Sequence, residues 1–227
     1  MTDQADHGLT EDVERLALTS GASLVGFADL EGLADLPRAV ALAVRYAPEV
    51  FADPEHMPNP AFAGEFSRLD AQLRQLADQV AMRLRTEGYK AIGDPAPQDE
   101  VDRTRWVASF SYKTAATRAG LGWIGKCDLF VSRELGPAVR LWSVLTDAPL
   151  AVGQPVTKSE CGECRVCVDA CPGGAANGRL WFAGLRREEF FDVFACHRSC
   201  REQERARGVE RGGCAVCMAV CPKRPRS

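Results

Sequence analysis

Phe66, Leu69, Leu73, Leu76, Val80 and Leu84 recur at intervals of three and four, the period of a helix with one buried face, and Gly88 supplies its stop. Upstream, Val13, Leu16 and Leu18 follow a Thr10 N-cap and the acidic pair Glu11 and Asp12, which predicts a first helix ending near Gly21. Residues 23–27 suit a short strand, and the apolar run over 39–46 a more deeply buried one. Pro48, Pro54, Pro58 and Pro60 make the stretch between Tyr46 and Phe66 a loop long enough to wall a site. Residues 89–92 read as a strand, 94–97 as a turn, 106–110 as a strand and the alanine-rich 113–119 as a helix. Residues 129–132 and 138–145 read as paired strands around the turn Glu134-Leu135-Gly136-Pro137. Helices interleaved with strands predict an α/β (α+β) layer domain over residues 1–152, with 153–159 as the linker into a second domain over 153–227.

Composition narrows the function. At 227 residues the chain can hold one sizeable core plus a small domain stapled by metal. Its net charge of -3 gives no general pull toward nucleic acid. The best apolar stretch, from Ala39 to Val44, is cut by Arg45, so no membrane span is expected. The start Met1-Thr2-Asp3-Gln4-Ala5-Asp6 has no basic or apolar export signal, which points to the cytoplasm. Arg198, Arg201, Arg205, Arg207 and Arg211, then Lys223, Arg224 and Arg226, make the end locally basic, interspersed with Glu202, Glu204 and Glu210. That pattern reads as a solvated arginine-rich helix, with an RNA surface or a rim for an acidic electron donor as the alternatives.

The chemistry lies in the cysteines. Cys161, Cys164, Cys167 and Cys171, followed by Pro172, form the C-x-x-C-x-x-C-x-x-x-C-P run that holds iron–sulfur clusters in bacterial ferredoxins. Cys214, Cys217 and Cys221, followed by Pro222, read as the same run with its third cysteine missing. In two-cluster ferredoxins the last cysteine of each run ligates the other cluster. That rule assigns Cys161, Cys164, Cys167 and Cys221 to one 4Fe–4S cluster and Cys171, Cys214 and Cys217 to a second, whose fourth ligand is Cys196 or Cys200. Zinc, which takes four thiolates, and a disulfide framework are the competing readings; neither requires the terminal Cys-Pro of both runs.

Gly120-Leu121-Gly122-Trp123-Ile124-Gly125-Lys126 matches the letters of G-x-G-x-x-G and most of a P-loop. Both motifs need a strand before and a helix after, and this order is reversed; Cys127 also stands where a P-loop has Ser or Thr. What remains is a glycine turn after a helix, open either to a ligand against Trp123 and Lys126 or to plain packing of Trp123 in the core.

The stretch from Arg118 to Lys126, the segment Leu145-Thr146-Asp147-Ala148-Pro149-Leu150 and the two cysteine runs together resemble epoxyqueuosine reductase. The resemblance implies a cobalamin-binding domain, similar to the core of reductive dehalogenases, followed by a two-cluster ferredoxin domain. It implies electrons passed from the clusters to a base-off cobalamin that reduces the epoxide of a modified tRNA base. On it, Lys113, Gly120, Gly122, Trp123, Gly125 and Lys126 shape the cofactor site, and Cys196, four residues after Asp192, is preferred to Cys200 as the last ligand. The family's Arg-Asp-Tyr-His proton-donor motif has no match; Glu65 and Asp70 are the nearest substitutes. The chain ends at Ser227, just after the second run, so the family's C-terminal helical repeat domain is expected to be missing.

The expectation is therefore a cytoplasmic oxidoreductase with two 4Fe–4S clusters and cobalamin, fed by a donor such as a ferredoxin or flavodoxin, with tRNA an open partner and no membrane. The alternatives are a two-cluster electron-transfer protein serving a partner enzyme, and an α/β domain holding flavin. Cys127, where the family has asparagine or histidine, is expected to be an ordinary buried thiol.

Overall fold

The computed structural model describes residues 5–97 and 100–225; the first four residues, Gln98, Asp99, Arg226 and Ser227 lie outside it, and with them the expectations placed on the chain start and on Arg226. The chain divides into two compact units, neither continuous in sequence. The first comprises residues 1–44, 71–121 and 141–156; the second comprises 45–70, 122–140 and 157–227. The expected cut at 152/153 thus lies close to the last crossing point, but the second unit also takes two earlier segments. Among the described residues no helix is long and apolar enough to cross a membrane.

The first unit is built on a four-stranded sheet in the order β1 (Leu24–Asp29), β2 (Arg38–Arg45), β6 (Val139–Thr146), β3 (Ala91–Ile92). β1 pairs antiparallel with β2, from Leu24 opposite Ala43 to Asp29 opposite Arg38, and β3 pairs antiparallel with β6. Every residue from Ala39 to Val44 is buried, which explains an apolar run without alternation: this strand is covered on both faces. α1 (His7–Thr19) buries Leu9, Val13 and Ala17. Its N-cap is Asp6, not Thr10: the Asp6 carboxylate accepts from Leu9 N at 2.9 Å, and the Thr10 hydroxyl donates back to Asp6 O at 2.6 Å. α2 (Pro60–Thr86) buries Leu73, Leu76, Val80 and Leu84 within this unit, on the periodicity read from the sequence. α3 (Tyr112–Arg118) packs on β1. Gly26 makes that approach possible, because a Cβ there would stand 3.0 Å from Ala119 Cβ.

One expected strand and one expected pairing are absent. Residues 106–110 form no strand; only Asp102 and Val107 bridge, and the Asp102 carboxylate accepts from Thr104 N at 2.9 Å and from its hydroxyl at 2.6 Å. Such a side-chain turn competes directly with a strand ladder. Residues 129–132 and 138–145 do contain strands, β5 (Phe130–Ser132) and β6, but β5 pairs with β4 (Gly122–Ile124) in a separate two-stranded sheet while β6 belongs to the large one. The turn at 134–137 closes back on β5 through a Ser132–Gly136 bridge, ahead of β6. The linker is not slack either: Val156 N donates to Thr117 O at 2.9 Å within the first unit, and Thr157 O accepts from Ala183 N at 2.8 Å within the second.

In the second unit the proline-rich stretch folds into two 3-10 turns, Pro48–Phe51 and Pro54–His56, before α2 begins. Tyr46, Phe51 and Phe62 pack their rings at centroid distances of 5.2 to 5.8 Å in a small aromatic core. A second cluster gathers Ile124, Ala175, Leu185, Phe190 and Phe191. α4 (Val166–Asp169), α5 (Val193–Arg207) and α6 (Val216–Ala219) complete the unit.

The glycines of this unit separate by what surrounds them. A Cβ on Gly122 would meet Val131 O at 2.1 Å, so Gly122→Ala is expected to lower the thermal unfolding midpoint, by the equivalent of about 1–3 kcal/mol. Gly64 in α2 has nothing within 4 Å of such a Cβ, so Gly64→Ala is expected to raise the midpoint, by the equivalent of about 0.5–1 kcal/mol. Circular dichroism melts of the two variants check both signs.

Candidate functional site

The two cysteine runs fold alike. Each sets one cysteine ahead of a short helix, one inside it and one just after it: Cys164, Cys167 and Cys171 around α4, and Cys214, Cys217 and Cys221 around α6. The two helices pack on each other. This match corrects the alignment of the second run. Its missing cysteine is the first, where Arg211 stands in the place of Cys161, and not the third.

The thiols sort across the runs. Cys221 of the second run lies beside Cys167, Cys161 and Cys164 of the first, and burial with those neighbours pushes its thiol up. Cys196 lies beside Cys171 of the first run and Cys214 of the second; its hydrogen bond with Cys200 and its burial raise it strongly. Asp192 explains the spacing to Cys196. Its carboxylate caps α5 by accepting from Phe194 N and Ala195 N, both at 2.9 Å, which sets Cys196 in the first turn of the helix. Cys200 follows one turn later on the same face, with the two sulfurs 3.9 Å apart, so the structure brings both candidates for the last ligand to one place. Cys200 is the lower of this pair, held down by the thiol of Cys196 and then by Cys214, whose backbone N–H reaches its sulfur at 3.3 Å.

Donors aim at other sulfurs too. Ala175 N reaches Cys171 Sγ at 3.4 Å, and Trp123 Nε1 reaches Cys161 Sγ at 3.4 Å. Hydrogen bonds to ligating sulfurs are the means by which proteins hold iron–sulfur clusters and set their potentials, so the residues present fit such a group. Among the described residues no set of three or more His, Cys, Asp or Glu side chains is drawn together as donors for one metal ion. Ligands on separate corners of a cubane stand farther apart than ligands on a single ion.

The glycine stretch serves the first cysteine loop. Lys126 is 5% exposed, and its Nζ donates to Gly162 O at 2.7 Å and Cys164 O at 3.0 Å, carbonyls within the turn that carries Cys161 and Cys164. Trp123 is buried, with the Lys223 ammonium 6.0 Å from its ring. Gly125 brings backbone close enough that a Cβ would stand 3.7 Å from Cys161 Sγ. Gly120 has φ +82° and leaves no room for a Cβ against Gln154 O. Lys113 is half-buried in the first turn of α3. Sequence reasoning named these residues without seeing what they hold. No local signal in the sequence marks the Lys126 charge as internal; its partners lie 36 and 38 residues away.

Glu65 and Asp70, the proton-donor candidates, are engaged by arginines. Arg68 binds Glu65 at 2.7 and 2.8 Å and, with Ala47 N–H, holds its carboxyl below the usual carboxylate range. Arg140 binds Asp70 at 2.7 Å, and Arg211 stands 3.9 Å from it. Tyr46, near both carboxylates, is pushed up to about 12 by burial. Part of the basic stretch is likewise committed inside this unit. Arg201 pairs with the buried Glu204 at 3.2 Å, Arg207 reaches Glu55 O at 3.1 Å, and the Arg224 guanidinium lies 5.1 Å from the Phe51 ring.

This chain carries its two cysteine runs around paired helices on a mixed α/β fold, and solved structures share that fold. A catabolic reductive dehalogenase, NpRdhA, in complex with 3-bromo-4-hydroxybenzoic acid matches with a TM-score of 0.73 at 20% identity, over 96% of this chain and 32% of that one. The sequence relatives are more particular: they are epoxyqueuosine reductases. That of Pseudomonas aeruginosa is 29% identical over 194 residues, 82% of this chain and 50% of its own length, and that of Escherichia coli is 27% identical over 195 residues, 82% and 48%. An epoxyqueuosine reductase structure with an epoxyqueuosine-modified tRNA-Tyr stem loop matches with a TM-score of 0.62 at 21% identity, over 95% of this chain and 65% of that one. The resemblance read from the sequence therefore holds, and the chain spans about half the length of the curated relatives it matches. No family model matches.

Lys126→Met removes the cation from two carbonyls and leaves them unpaired. Where the first cysteine set holds a 4Fe–4S cluster, iron bound after anaerobic reconstitution is expected to fall by about four per chain. Colorimetric iron analysis beside the wild-type protein checks the loss.

Proposed function

We propose that this chain is a cytoplasmic iron–sulfur oxidoreductase of the cobalamin-dependent reductase kind. The observation that carries the reading is the sorting of thiols across the two runs: Cys221 beside Cys161, Cys164 and Cys167, and Cys196 beside Cys171 and Cys214. We assign one 4Fe–4S cluster to the first set and a second to Cys171, Cys196, Cys214 and Cys217. Bound clusters supply one-electron transfer. The chain's residues set the terms of that transfer. Lys126 places a buried cation against the loop of Cys161 and Cys164, and Trp123 directs its N–H at Cys161, so added negative charge on that side is stabilised.

The corrinoid in this proposal rests on fold likeness to reductive dehalogenases, one of them described by a mechanism for B12-dependent dehalogenation. We keep Lys113 and Gly120 as cofactor-side residues and assign Gly122, Trp123, Gly125 and Lys126 to the support of the first cysteine loop. No residue is assigned as catalytic acid: Glu65 is held ionised, and Asp70 is paired with Arg140. The substrate is a reducible small group; the modified tRNA base of the relatives is one member of that class. An electron donor such as a ferredoxin or flavodoxin completes the scheme.

A second reading, an electron-transfer module serving a partner enzyme, is favoured by one feature. Cys164 is exposed and Val166, two residues on at the start of α4, is 45% exposed, so the first cysteine set has an open edge that could meet a partner. Anaerobic titration of the iron-loaded protein with cob(II)alamin, followed by electron paramagnetic resonance of the cobalt, separates the two. A base-off signal that saturates one-to-one supports the reductase; no binding with both clusters loaded and reducible supports the module. Cys196→Ala is expected to lose one cluster's iron while Cys200→Ala keeps both. The opposite iron counts move the last ligand to Cys200.

A further inference from the structure

Helix α5 meets the entry of the second cysteine run with one stripe of side chains. Cys196, Cys200 and Glu204 follow at intervals of four, so they share a face of the helix. The loop they meet has left-handed backbone, with φ +120° at Gly212 and +75° at Gly213. Two consecutive amides of that loop are taken by the stripe. Gly213 N donates to Glu204 Oε1 at 3.0 Å, and Cys214 N donates to Cys200 Sγ at 3.3 Å.

Glu204 is 7% exposed, whereas Glu202 and the four arginines of α5 are exposed. Its second oxygen pairs with Arg201 at 3.2 Å, which holds the carboxylate while the first oxygen serves the loop. An apolar side chain in its place would fill the space and leave the Gly213 amide unpaired. We propose that Glu204 is the positioning residue of the second cluster: it fixes the Gly213 amide, and through it the direction in which Cys214 presents its sulfur. Helix α5 thereby supplies one ligand of that cluster, Cys196, and orients the loop that supplies another. The first loop is held in the opposite sense, by the Lys126 ammonium on two carbonyls, so each run has a buried charged side chain as its template.

This inference rests on the two-cluster reading, and the test separates the two. Glu204→Leu and Glu204→Gln are reconstituted anaerobically beside the wild-type protein and Cys217→Ala, the last as the reference for a chain without the second cluster. Iron content, electron paramagnetic resonance of the reduced clusters and far-UV circular dichroism are measured on each. Glu204→Leu, which offers the amide no acceptor, is expected to lose about four iron atoms per chain, to keep its helical signal and to show the same reduced-cluster spectrum as Cys217→Ala. Glu204→Gln, which keeps an acceptor, is expected to hold both clusters. Full iron in Glu204→Leu overturns the inference, as does a remaining spectrum unlike that of Cys217→Ala. Loss of both clusters in Glu204→Leu also overturns it, because Glu204 then supports the unit as a whole, and so does loss of a cluster in Glu204→Gln. A wild-type protein that takes up one cluster or none overturns the two-cluster reading itself, and this inference with it.

Discussion

Several of the half-buried thiols, Cys196, Cys214 and Cys221 among them, resist ionisation, and the donors gathered around the cysteine loops answer that constraint. Cys221 is pushed up by burial and by its neighbours, and Cys214 by its hydrogen bond with Cys200 and by burial. A ligated metal centre requires those groups as thiolates, so binding must offset what ionisation costs. The surroundings supply part of the offset through groups that favour negative charge: the N–H donors of Trp123, Ala175 and Cys214, and the buried ammonium of Lys126. Each comes from a segment distant in sequence from the cysteine it serves, or from the turn just beyond it. The two-stranded sheet of β4 and β5 exists, in this sense, to carry Trp123 and Lys126 to the first cysteine loop.

What the chain disclosed in advance follows the range of the interactions. β2 and α2 were legible because burial on both faces and burial on one face leave different local patterns, a continuous apolar run and a three-four spacing. The cysteine runs were legible because their spacing is itself the constraint. The Asp6 cap was missed because Thr10 offered a plausible hydroxyl one turn too late; it bonds back to Asp6 O instead. The partner of β5 was missed because proximity along the chain favoured β6, whereas Gly122, bare of a side chain, admits the backbone of Val131. The role of Lys126 depends on tertiary contact with the first cysteine loop, and a glycine-rich context pointed toward a ligand.

The glycine stretch also bears on likeness among proteins. Residues 118–126 carried much of the resemblance to epoxyqueuosine reductases, and in this chain they pack backbone on backbone at Gly120 and Gly122 and hold the cysteine loop through Trp123 and Lys126. In this chain the signature records how the first cysteine loop is held more directly than it records a substrate. The sequence relatives and the lower-identity fold neighbours are consistent with that division, since epoxyqueuosine reductases and reductive dehalogenases share the fold while their named substrates differ.

The second unit is assembled from three separate segments, 45–70, 122–140 and 157–227. A cassette excised at the linker would carry all seven cysteines of the two runs yet leave Trp123 and Lys126 behind. Gene fusion and domain shuffling, which move contiguous stretches of coding sequence, therefore cannot transplant this redox half intact. A stretch that keeps Trp123 and Lys126 with the cysteines has to include residues 122–140 as well as 157–227.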